Sequence, residues 1–190
     1  MGGLAPLASL ALHAWQGTLG ANPIQEVENE LGLAALVFLL ASVAVTPARR
    51  LLGWTWAVRI RRELGLFAFG YALTHFLCYI VLDQFFDWRA IAGDIWQRPF
   101  ITVGFTALVL LAPLAWTSRN ISVRRLGYVR WQQLHWLVYP AAILAVVHFV
   151  WRVKRDVNQP LTYALILAVL FGVRIVFWLR KRYSLGEALD

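Results

Sequence analysis

Five stretches of this chain are long, apolar and almost uncharged: 31–48, 64–82, 100–117, 131–151 and 161–179. None contains Asp, Glu or Lys, and Arg174 is the single Arg among them. A bilayer core is about 30 Å thick, so a helix needs about 20 apolar residues to cross it. Each stretch meets that length. Pro47, Pro113 and Pro140 fall within them, which membrane helices tolerate because neighbouring groups re-satisfy the freed backbone. Arg174 is expected to snorkel toward the nearer surface.

A sixth apolar segment opens the chain at 4–15 and is short. It can cross if it continues to Leu19 and stands upright, or if the bilayer thins. No basic residue precedes its apolar run, which argues against a secretory signal. The expectation is an all-α, polytopic membrane helix bundle of about six transmembrane helices, forming one domain over 1–190.

Composition agrees. Apolar residues make up 60% and charged residues 15%, against about 45–50% and 25% in soluble domains. That excludes a disordered chain, a disulfide scaffold and an ordinary water-soluble enzyme. Cys78 is the lone cysteine. It has no partner for a disulfide, and is expected to pack. The formal charge of +8 would suggest nucleic acid in a soluble protein. Here the basic residues close the apolar runs, so no nucleic-acid partner is expected.

Those basic residues orient the chain. Counting the short opening segment as the first span, Arg49, Arg50, Arg59, Arg61 and Arg62 follow the second span (31–48); Arg119, Arg124, Arg125 and Arg130 follow the fourth (100–117); Arg180, Lys181 and Arg182 follow the last. Alternating spans put all three groups on one side. The other side receives Glu26, Glu28, Glu30, Asp83, Asp87 and Asp94, opposed by Arg89, Arg98, Arg152, Lys154 and Arg155. Positive residues collect in the cytoplasm, which places both termini there. Trp54, Trp56, Trp88, Trp96, Trp131 and Trp151 lie near span ends, as an interfacial belt requires.

Ionisable residues within membrane helices are costly and usually functional. His75 lies in the third span, His135 and His148 in the fifth, and His13 in the short first segment. Neutral imidazole ligates haem iron, and haem slots between helices. His135 and His148 would be about 20 Å apart on one ideal helix, so they cannot share an iron. Depth instead pairs His75 with His148, both in the outer halves of their spans. His135 has only Arg61 and Arg62 at its level. Ligands on both axial positions favour electron transfer over oxygen activation. Each histidine alone is as readily a packing residue, and His13 is read that way.

At these positions the chain resembles a known family. The run Arg61-Arg62-Glu63-Leu64-Gly65-Leu66 with Leu73-Thr74-His75 resembles the haem-bearing helix of the MsrQ (YedZ) family. So does Arg130-Trp131-Gln132-Gln133-Leu134-His135 followed by Tyr139 and His148, and, upstream, Gly20-Ala21-Asn22-Pro23 and Thr46-Pro47. The resemblance covers roughly 17–180. It implies a ferric-reductase-like transmembrane domain carrying haem b and FMN in the bacterial inner membrane. It further implies electron flow from the quinone pool to MsrP, a periplasmic molybdopterin enzyme that reduces methionine sulfoxide in oxidised proteins. His75, His135 and His148 occupy the family's histidine positions. NADPH oxidases of the same fold have a further histidine where Arg61 stands. His135 is therefore open to a flavin, a quinone or another haem geometry. Arg61, Arg62 and Arg130 could hold a flavin phosphate or quinone head group, although positive-inside arginines are expected there anyway. The chain leaves no room for flavin and nicotinamide domains, so a separate donor is expected, either quinone or a flavin reductase. Two other functions stay open: a self-contained ferric or quinone reductase, and a non-redox transporter or assembly factor, which the scarcity of buried carboxylates disfavours.

Overall fold

The computed structural model describes residues 2–153 and 156–186, with side chains as far as 182. Lys154 and Arg155, counted above in the charge balance, lie outside the described residues. The described chain is helical throughout: α1 (Ala5–Gln16), α2 (Pro23–Leu52), α3 (Ala57–Cys78), α4 (Trp88–Gln97), α5 (Pro99–Trp116), α6 (Asn120–Leu126), α7 (Tyr128–His135), α8 (Val138–Arg152) and α9 (Asn158–Gly186).

Five segments are long and apolar enough to cross a membrane: α2, α3 with its continuation to Asp83, α5, α7 with α8, and α9. The opening segment forms α1, which stops at Gln16 because Gly17 turns into left-handed backbone (φ 64°). The opening segment rests against the bundle by its start and middle: the Tyr71 hydroxyl donates to the Gly3 carbonyl, just before α1, at 2.8 Å, and Leu10 of α1 is buried with Leu31, Ala34 and Tyr71.

Local chemistry sets the helix ends. Asn22 caps α2, its side chain accepting from the Gln25 amide at 3.2 Å, with Pro23 in the first turn. Gly53, at φ 69°, closes it. The Asp87 carboxylate accepts from the Arg89 and Ala90 amides to start α4. Pro140 has no N–H to offer the Trp136 carbonyl, so the span Tyr128–Arg152 divides into α7 and α8 just upstream. The Trp136 carbonyl takes the Tyr139 amide instead, at 3.0 Å. After Cys78 the third span widens into a π turn, Tyr79–Asp83. Phe85 and Phe86 follow in left-handed backbone (φ 47° and 63°), uncommon for bulky residues.

The core joins Leu36, Leu39 and Leu40 of α2 to Ala68 of α3, Leu111 and Leu114 of α5, Ala141, Ala142 and Val146 of α8, and Leu167 of α9. Ala68, Ala141 and Ala142 are fully buried. Small residues let helix backbones approach where no water-driven force exists between spans. α9 stands outermost, presenting Leu165, Val169, Ile175 and Trp178 outward.

Two expectations change. Arg174 does not snorkel outward; it reaches into the bundle, donating to the Tyr139 hydroxyl at 2.8 Å and to the Val43 carbonyl at 2.7 Å. Val43 lies four residues before Pro47, which cannot supply the amide that would occupy that carbonyl. Arg174 fills the gap. Trp131 is half-buried rather than exposed: its indole N–H donates to the Thr117 carbonyl at 2.9 Å, and its ring lies tilted against His135. Trp54, Trp56, Trp88, Trp96 and Trp151 are exposed, as expected.

Candidate functional site

His75 projects from α3 and His148 from α8, and their ring centres are 6.3 Å apart with planes inclined by 75°. Each imidazole is anchored the same way. His75 Nδ1 lies 2.8 Å from the Glu28 carbonyl of α2. His148 Nδ1 lies 2.7 Å from the Phe100 carbonyl of α5. A carbonyl only accepts, so each Nδ1 carries the proton and each Nε2 keeps its lone pair. Neither Nε2 has a hydrogen-bond partner among the described residues.

Glycines make room for both rings. A Cβ on Gly104 would fall 2.6 Å from His148 Nδ1, and one on Gly32 would fall 3.4 Å from His75 Nδ1. Gly32 lies four residues after Glu28, and Gly104 four residues after Phe100. On a helix those positions sit one turn apart on the same face. Each histidine therefore lies over a carbonyl and the bare backbone one turn beyond it.

The two rings face one cavity of about 670 Å³ among α2, α3, α5 and α8. Cofactor sites run from about 300 to 1,000 Å³. Apolar walls come from residues such as Leu36, Ala72, Phe76, Leu108 and Phe149. Glu28, Asn29, Asp83, Arg98 and Arg152 line it on the side of the histidines. There Arg152 hydrogen-bonds the Asn29 side-chain oxygen, and Arg98 pairs with Asp94 at 2.9 Å. The buried Glu28 Oε1 has no hydrogen-bond partner among the described residues.

This arrangement fits a haem. Two imidazoles ligating one iron through Nε2 from opposite sides place their ring centres about 6–6.5 Å apart, and 6.3 Å separates these. Nδ1–H bonds to carbonyls are the usual second support of a ligating histidine; they fix the tautomer and raise the basicity of Nε2. His75 and His148 would hold the haem, and the group would supply one-electron transfer there.

A family model described as the ferric reductase like transmembrane component matches residues 28–146. A protein of Rhodospirillum rubrum is 54% identical over 181 residues, 95% of this chain and 87% of that protein. Relatives from Azospira oryzae and Deinococcus radiodurans are each 51% identical, over 91% and 92% of this chain and 75% and 86% of their own lengths. All three are named protein-methionine-sulfoxide reductase heme-binding subunit MsrQ. The chain belongs to the MsrQ family.

Against the MsrQ resemblance, the histidines divide into two groups. His75 and His148 meet at the cavity, as their depth predicted. His135 stands at the other end of its span and does not line it. Its Nδ1 lies 3.0 Å from the Trp131 carbonyl and its ring is 4.0 Å, centre to centre, from the Trp131 indole. Arg61 is within electrostatic reach of His135. Arg61, Arg62 and Arg130 are all exposed, and none makes a hydrogen bond or ion pair with a described residue. His13 is exposed on α1. Gly32, Gly104 and the Glu28 and Phe100 carbonyls are the parts that sequence reasoning missed. The glycines were the available signal, but their meaning depends on which helix faces which histidine.

Proposed function

We propose that the chain is the haem b subunit of a methionine sulfoxide reductase system, relaying electrons across the inner membrane to the periplasmic enzyme MsrP. The single observation that carries this reading is the His75–His148 pair, carbonyl-anchored and spaced for one iron. The names of the MsrQ relatives support the haem and the system. The haem would supply a one-electron relay. His75 and His148 would hold it, since their Nδ1–H bonds to carbonyls leave each Nε2 lone pair free to ligate iron.

The arginine-rich ends of the spans belong on the cytoplasmic side by the positive-inside rule, with both termini there and the histidine pair toward the periplasm. Quinone, FMN or a separate flavin reductase would supply electrons on the cytoplasmic side, where Arg61 and His135 lie close together.

The test is the absorption spectrum of the purified protein with haem quantified per chain. Wild type gives about one low-spin haem. His75→Ala and His148→Ala each abolish its signature. A colourless protein from haem-replete cells defeats the proposal. Turnover of ferric chelate by quinol, with no partner present, would replace the relay with a self-contained reductase.

A further inference from the structure

The histidine cavity has its mouth at one end of the bundle. Residues that both line it and stand exposed are Asn22, Gln25, Leu82, Asp83, Phe85 and Arg98. They belong to the start of α2, to the link from α3 to α4, and to the joint between α4 and α5. All lie at the end opposite the arginine-rich one.

Phe85 is 77% exposed at this mouth, and Phe86 beside it is 54% exposed. Both hold left-handed backbone (φ 47° and 63°), which strains bulky residues. Local hydrogen bonds keep the turn in that form. The Phe86 amide donates to the Ile80 carbonyl at 3.0 Å, and the Asp87 amide to the Gln84 carbonyl at 2.9 Å. The Tyr79 hydroxyl donates to the Asp94 carboxylate at 2.9 Å, tying α4 back to the third span. Two phenyl rings are thus held out from a fixed turn rather than packed away.

Lipid does not account for this pair. Interfacial belts are built of Trp and Tyr, whereas these rings stand between the exposed carboxylates of Asp83 and Asp87. Carboxylates are costly in an apolar layer. Exposed aromatic rings on a pre-set turn are what a protein partner buries as anchors, because little ordering is left to be done on binding.

We propose that Phe85 and Phe86 are the docking point of the partner reductase. The face they fit is that of a water-soluble protein with an apolar pocket, rimmed by Lys or Arg to match Asp83 and Asp87. Docking there sets the partner against the mouth of the cavity that His75 and His148 share. The inference rests on the reading of the chain as a subunit of a reductase system, and adds the surface by which the subunits meet.

The experiment titrates purified MsrP of the same organism onto the full chain in lipid nanodiscs. It compares wild type, Phe85→Asn/Phe86→Asn, and the control Trp54→Asn/Trp56→Asn, which removes two exposed rings at the opposite end. Asn tolerates left-handed backbone, so the first variant takes away the rings and keeps the turn. Its dissociation constant should rise about tenfold or more, the usual effect of truncating an interface anchor, while the control holds. In wild type, MsrP should also slow amide exchange over 82–88, a readout that needs no variant. Unchanged affinity in the phenylalanine variant, or no added protection over 82–88 in the complex, overturns the docking site; rings lying in the membrane would give that result. Haem is quantified in every sample. A haem-loaded wild type that does not bind MsrP overturns the subunit reading together with the docking site, whereas binding that ignores the two rings overturns the docking site alone.

Discussion

Gly104 on α5 lies directly beneath the His148 ring: a Cβ at that glycine would fall 2.6 Å from Nδ1 and 3.0 Å from Cγ. The first distance is shorter than real Cβ atoms show and the second is tighter than most, and the nearest ring atom is the one that bonds the Phe100 carbonyl. The glycine and the hydrogen bond are therefore parts of one device. Without the bare backbone at 104, the imidazole cannot lie against the turn that holds it.

Gly104→Ala should consequently lower haem content per chain severalfold, or convert the low-spin signature to a high-spin one. Gly32→Ala should do less, since its Cβ would stand 3.4 Å from His75, a distance small shifts can relieve. Absorption spectra and haem quantification of the two variants check the ranking. Equal effects would contradict it.

His135→Ala should retain the low-spin spectrum set by His75 and His148. His135 is absent from the cavity walls, and its Nδ1 and ring are engaged with Trp131. Loss of that spectrum in the purified variant, with protein still folded by circular dichroism, would place His135 among the axial ligands.

Arg174→Leu should destabilise the bundle by about 1–3 kcal/mol, the usual cost of a buried polar group left without its partner. The orphan would be the Val43 carbonyl, freed by Pro47. Pro47→Ala restores an amide for that carbonyl, so it should recover part of the loss when combined with Arg174→Leu. Thermal unfolding of the four proteins in one detergent gives the coupling. Strict additivity would mean that Arg174 acts through Tyr139 alone.

Tyr71→Phe removes the hydroxyl that bonds the Gly3 carbonyl. A hydrogen bond of this kind contributes about 1 kcal/mol. The change should speed amide exchange across α1 while leaving α2 protected, measured by hydrogen–deuterium exchange. Uniform acceleration throughout the chain would show that α1 is not separately tethered.

Span positions were legible because bilayer thickness acts on sequence locally: a stretch is long and apolar enough or it is not. The division at Pro140 and the ends at Gly17 and Gly53 also turn on single residues, but apolar length alone does not show them: it makes 131–151 one span and lets the first segment run on to Leu19. The pairing of His75 with His148 was legible for a related reason, since depth follows from counting along regular helices. Arg174 was misread as snorkelling to the surface, and the bond of Trp131 to the Thr117 carbonyl was not foreseen, because those partners are fixed by packing rather than by the local pattern.

By itself, then, the sequence determined a multi-helix membrane bundle and the level at which each histidine sits within it, both consequences of a fixed rise per residue across a bilayer of known thickness. Only the tertiary structure decided that α2 lies against α3 and α5 against α8. That choice puts the Glu28 and Phe100 carbonyls over the two imidazoles and Gly32 and Gly104 beneath them. Helix neighbours are selected by side-chain packing between distant segments, and no local pattern in a single chain encodes which glycine will face which ring.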